Sequence, residues 1–178
     1  MPEGGFKVMK GLELCERFFY EEGETLFRNQ FRKYYDRLAF GLVGDGSECY
    51  GYDDDLSRDH DWGPGFCLWL AREDFNRFGA EASEIYNRLP ASFLGHPPRK
   101  TSSWGANRIG VFEISAFYRS FIGNFQPPES LDQWLALPDN ALAAATNGKV
   151  FQDPKGEFSR IRDALLVYYP EDVRRKKI

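Results

Sequence analysis

The sequence predicts a single α/β domain, a mixed sheet flanked by helices. Two short apolar runs, residues 38–43 without a break and 109–114 with Glu113 as its sole ionisable residue, have the length and content of strands. Between them lie stretches whose apolar residues recur at helical spacing. The third observation is size: 178 residues with 42% hydrophobic and 16% aromatic content suffice for one packed core and are too few for two.

The elements follow in order. Residues 8–22 carry Val8, Leu12, Cys15 and Phe19 on one stripe, widened by Leu14 and Phe18, which predicts an amphipathic helix. A second helix is expected over 24–37, with Leu26, Phe27, Phe31, Tyr34 and Tyr35 on its apolar side. The strand 38–43 ends in Gly44-Asp45-Gly46, which permits a tight turn. Residues 48–58 contain Asp53-Asp54-Asp55 and read as a solvated loop. A strand over 59–70 is expected to bend or bulge at Gly63-Pro64-Gly65. Residues 72–89 form a helix stopped by Pro90, and 95–105 an irregular connection rich in Pro, Ser and basic residues. After the strand 109–114 come a helix over 139–146, a strand over 149–152 and a helix over 157–169. Aromatic residues at helical positions, among them Phe18, Phe19, Tyr20, Tyr34, Tyr35, Tyr168 and Tyr169, are read as core.

Composition excludes several functions. A net charge of -4 gives no long-range pull toward nucleic acid, so bulk nucleic-acid binding is not expected. No apolar run approaches the roughly 20 residues of a membrane span, and the N-terminus lacks a basic-then-apolar leader. The chain reads as cytoplasmic, without a membrane partner. Cys15, Cys49 and Cys67 form no C-x-x-C pair and are expected to be free thiols.

Chemistry concentrates in two segments. Gly46-Ser47 follows the first strand, where turn amides and a hydroxyl can meet phosphate. Asp59 and Asp61 are spaced i and i+2, so on a strand both point to one face while His60 points to the other. Two adjacent carboxylates repel unless a cation, a shared proton or water relieves them, and Mg²⁺ carrying a triphosphate suits the first solution. Glu113 is the sole ionisable residue of its apolar run and needs water, a metal or an arginine; Arg108 and Arg119 are the candidate ion-pair partners. Other motifs fail. Gly44-x-Gly46 has Cys49 in place of the third glycine of a dinucleotide fingerprint, and the phosphate loop G-x-x-x-x-G-K-[ST] is absent. A calcium loop beginning at Asp53 would need glycine at Arg58 and glutamate at Pro64. Cys49, His60 and Cys67 leave a residual zinc reading. The basic residues 174–177 read as a solvated tail.

Residues 42–47, Asp59, Asp61 and Glu113 resemble, in that order, the nucleotidyltransferase superfamily with the DNA polymerase β-like fold, whose signature is an apolar strand, Gly-Ser, a spacer, Asp-x-Asp and a third carboxylate on a later strand. Residues 44–51 with 57–61, and further 145–151 and 156–162, are similar to a bacterial branch of that superfamily known as a domain of unknown function. The resemblance implies a nucleotidyltransferase-like mixed sheet. It also implies Mg²⁺-dependent transfer of a nucleoside monophosphate from ATP or another nucleoside triphosphate to an acceptor hydroxyl on a small molecule or protein. Asp59 and Asp61 would hold the metal, Gly46 and Ser47 the terminal phosphates, and Glu113 would be the third ligand or the base. Two metals could clamp the attacking and leaving oxygens. Two departures stand out: His60 occupies a position that is apolar in the signature, and the chain stops where the branch continues into a helical C-terminal region. Residues 1–178 are thus expected to form one such domain without that region. The alternatives are a nucleotide-binding or protein-interaction domain without turnover, and a metal-dependent phosphohydrolase.

Overall fold

The computed structural model describes residues 9–52, 62–99 and 108–167. Its centre is a mixed four-stranded sheet of order β3-β2-β1-β4, formed by β1 (Ala39–Val43), β2 (Cys67–Leu70), β3 (Gly110–Glu113) and β4 (Gly148–Gln152). β1 runs antiparallel to both β2 and β4, whereas β2 and β3 are parallel. All five residues of β1 are buried, as an unbroken apolar run requires.

Helices cover both faces. Cys67 and Trp69 point into a core completed by Phe117 and Tyr118 of α5 (Ile114–Ile122), Leu142 of α7 (Asp139–Thr146) and Phe158 of α8 (Glu157–Leu166). Trp69 and Phe158 stack with ring centroids 3.8 Å apart. Trp134 of the short α6 (Leu131–Ala136) closes this side. On the other face Phe40, Leu68 and Leu70 meet Phe18 of α1 (Gly11–Phe18), Phe27 of α2 (Glu24–Gln30) and Phe78 of α4 (Arg72–Tyr86). This mixed α/β arrangement is the expected fold class. Among the described residues, no helix is long and apolar enough to cross a membrane.

Several expected boundaries move, each for a local reason. The two N-terminal helices form one continuous run, because a π-helical segment, Phe19–Gly23, joins α1 to α2. Gly23, which falls between the two expected helices, lies inside the run, where a Cβ would come within 2.7 Å of the Phe66 ring. The run ends at Gln30 instead of residue 37, and a 3-10 turn, Tyr35–Arg37, leads into β1. A short helix, α3 (Ser47–Tyr50), replaces the start of the expected loop. Over 62–66 the expected strand is absent, and β2 starts only at Cys67, after the Gly63-Pro64-Gly65 irregularity; residues 59–61 lie outside the described residues. α5 and α6 were not expected. α6 carries a capping box in which Ser130 and Gln133 satisfy each other's backbone, a signal present in the S-x-x-Q spacing. The remaining elements stand close to their expected places. Phe18, Phe19 and Tyr35 are buried, whereas Tyr20 is 45% exposed; Tyr168, Tyr169 and the basic tail lie outside the described residues.

β1 and β4 approach unusually closely at Gly41, where a Cβ would sit 2.5 Å from the Lys149 carbonyl oxygen and 2.9 Å from the Val150 Cα. Backbone cannot swing aside as a side chain can. Gly41→Ala is therefore expected to cost about 2–3 kcal/mol through overpacking, read as a fall of roughly 4–12 °C in Tm for a domain of this size; an unchanged Tm would show that the strands can separate freely.

Candidate functional site

The candidate site is built on the exit of β1. Gly44 adopts φ +150°, which turns the chain sharply out of the sheet. Gly46, in extended conformation, precedes the first residue of α3, Ser47. The opening N–H groups of a helix have no acceptor inside it, and the chain closes the short α3 by a bond from Cys49 N–H to the Gly46 carbonyl, 2.9 Å. Gly46 and Ser47 thus come together at the end of the central strand.

Beneath them lies a residue that motif reading passed over. Glu48 folds back so tightly that a Cβ on Gly46 would lie 2.6 Å from its Oε2. Its Oε1 meets Arg99 Nη1 at 2.6 Å, and both side chains are only 3% exposed. The Arg99 Nη2 group also donates to the Gly63 carbonyl at 2.9 Å and lies 3.5 Å from Cys15 Sγ. One guanidinium therefore ties the turn to the approach of β2 and to α1. In sequence Glu48 opens the acidic stretch expected to be solvated, yet its side chain is buried, and the signal that separates it is its place two residues after Gly46 and next to Cys49.

Arg108 is the second residue whose role only the fold reveals. Pairing of Gly110 with Cys67 carries Arg108 to the same end of the sheet as Gly44, where its Nε lies 3.1 Å from Asp45 Oδ1. The Cys67 thiol donates to the Arg108 carbonyl at 3.2 Å and fixes this segment. Gly44, Gly46, Glu48, Arg108 and Phe121 border a cavity of about 30 Å³, the volume of roughly one water molecule.

Glu113 is elsewhere. It pairs with Leu70 at the far end of β2, three residues beyond the Gly110–Cys67 pair, which is about 10 Å at strand rise. Its two carboxylate oxygens accept from Ser115 N–H and Ala116 N–H, each at 2.8 Å, and so cap α5. α5 then runs back toward the turn, and Phe121, eight residues on, borders the same small cavity as Gly44, its ring 4.0 Å from where a Gly44 Cβ would stand. The structure does not bring Glu113 to Gly46 and Ser47, and its carboxylate is committed to a helix terminus. Neither arginine answers it: Arg108 pairs with Asp45, and Arg119 lies over the Phe125 ring at 5.6 Å. Asp59, His60 and Asp61 lie outside the described residues. Among the described residues, no group of three or more His, Cys, Asp or Glu side chains converges to hold a metal.

Residues 134–178 match a family described as a domain of unknown function, DUF4037. The match spans about a quarter of the chain and takes in α7, β4 and α8. No curated protein and no solved structure matches.

The site's interior is dry enough to suppress thiol ionisation. Burial pushes the Cys15 thiol from 9.0 up to about 11 despite the nearby Arg99 charge, and Cys67 to about 12. Cys49 is raised as well, by burial first and by the Glu48 charge second. All three are free thiols. A folded-state pKa raised above the unfolded one means that the unfolded chain loses its protons first, so stability present below pH 9 falls as pH rises from 9 toward 11. The urea midpoint should drop over that window, and less steeply in Cys15→Ala. A parallel decline in both proteins would remove Cys15 from the explanation.

Breaking the buried ion pair strands a charge without its partner. Glu48→Gln is expected to cost about 3–5 kcal/mol, a large part of the roughly 5–15 kcal/mol that holds a domain together. The double substitution Glu48→Leu with Arg99→Met should cost less than the sum of the two single changes, measured by denaturant melts.

Proposed function

We propose that the chain is a Mg²⁺-dependent nucleotidyltransferase that moves a nucleoside monophosphate from a nucleoside triphosphate to an acceptor hydroxyl. The observation that carries this reading is the turn Gly44–Ser47 at the exit of a fully buried central strand, opening a helix, with Asp59 and Asp61 in the connection that follows. Phosphoryl chemistry asks the protein for positioning and neutralisation of charge more than for covalent participation. In this scheme Gly46 and Ser47 receive the terminal phosphates, and Asp59 and Asp61 hold Mg²⁺, which supplies charge neutralisation at the phosphates. Arg108 adds a cation at the rim of the turn, exchanging Asp45 for phosphate oxygen. Glu113, committed to the α5 cap, is better placed to stabilise that helix than to contact the same ion.

That commitment of Glu113 favours a second reading, a domain that binds nucleotide without turning it over. Both readings require binding, and transfer separates them.

At a triphosphate concentration of about 100 times Kd, ligand binding adds about 2.7 kcal/mol, or roughly 5–10 °C in Tm. The rise should need Mg²⁺ and should vanish in Asp59→Asn with Asp61→Asn; equal stabilisation of that double variant rejects the metal assignment. Incubation with base-labelled triphosphates, Mg²⁺ and a cell extract should then move label onto an acceptor. Binding without such transfer selects the second reading.

A further inference from the structure

A second recess beside this turn belongs to no part of the scheme above. A cavity of about 510 Å³ opens between the end of α5, α6 and the start of α7, within the range that buries a small organic ligand. Its apolar wall is made by Phe121, Leu137, Pro138 and Ala141. Its polar wall consists of three carboxamides, Asn124, Gln126 and Gln133, and among the described residues no charged side chain lines it.

Two of the carboxamides are oriented by their own backbone. The Gln133 Oε1 accepts from Glu129 N–H at 2.7 Å, and the Asn124 Oδ1 accepts from Phe125 N–H at 2.8 Å. With the oxygens so engaged, each side chain has its NH₂ group left to donate. A wall with N–H donors, flat apolar surfaces and no charge disfavours phosphate and suits a neutral heteroaromatic ring bearing acceptor atoms. Phe121 is common to this cavity and to the small one at the turn, and its ring reaches 4.0 Å from where a Gly44 Cβ would stand. The two recesses therefore adjoin around one side chain, the charged one bordered by Arg108 and the neutral one by amides.

We propose that this cavity receives the base of the nucleoside triphosphate whose phosphates lie at Gly46 and Ser47; the proposal rests on the reading given above for that turn. Base identity is then selected by carboxamide donors, while the turn and its metal handle the polyphosphate indifferently to the base.

The test compares Mg²⁺-tripolyphosphate with Mg²⁺-ATP, -GTP, -CTP and -UTP by calorimetry, on the wild type and on Ala141→Phe, which places a ring in the cavity. The wild type should bind at least one nucleotide about tenfold or more tighter than tripolyphosphate, and Ala141→Phe should reduce that nucleotide to the tripolyphosphate level. Gln126→Ala, which leaves the cavity open, should weaken the preferred nucleotide several-fold and keeps the test decisive should Ala141→Phe not fold. Unchanged nucleotide preference in both variants overturns the base pocket while leaving the phosphate site standing. Failure of the wild type to bind tripolyphosphate and every nucleotide alike overturns the function proposed for the turn, and this inference with it.

Discussion

One buried guanidinium ties together the end of the sheet where β1 turns at Gly44. Arg99 reaches Glu48 beneath the turn, the Gly63 carbonyl before β2 and the Cys15 sulfur on α1, three segments that no backbone ladder joins at this point. Burying two charges is expensive, and their attraction repays that cost only when geometry is close and the remaining donors are occupied. Here the donors serve two further segments, so the pair acts less as a source of net stability than as a device for register. It also explains Gly46 without reference to any ligand, because the Glu48 carboxylate occupies the space a side chain would take.

The parallel pairing of β2 with β3 divides the remaining polar residues between two ends of the sheet. Arg108 arrives beside Gly44, and Glu113 arrives beside Leu70. Had β3 run antiparallel to β2, the glutamate and not the arginine would have reached the turn. Direction of a single strand thus decides whether that end of the sheet receives a positive or a negative side chain, and the outcome is an arginine that pairs with Asp45. At the far end, the same glutamate finds a use in opening α5, whose other end brings Phe121 back to the turn.

Legibility in the sequence follows the kind of force involved. β1, α4, α7, β4 and α8 could be read because each is a periodic or continuous apolar pattern that packing alone enforces. The junction of α1 with α2 could not, because the π-helical segment at Phe19–Gly23 answers to the Phe66 ring from a distant segment. Glu113 does stand on the strand that its apolar neighbours predict, as the last residue of β3, whereas its bonds from Ser115 and Ala116 depend on a backbone turn that periodicity does not encode. The turn at Gly44–Ser47 was visible as a local motif. Glu48, Arg99 and Arg108, which build its surroundings, become neighbours only through strand order and register.

The sheet's central strand has a long wait for its second neighbour. β1 pairs with β2 nearby in the chain, but its other edge is closed by β4, roughly a hundred residues later. At synthesis rates of about 5–20 residues per second, an apolar strand emerging from the ribosome has one unsatisfied edge for something like 5–20 s. Such an edge is a template for pairing with other chains. Until β4 follows, that edge is the part of the growing sheet open to such pairing.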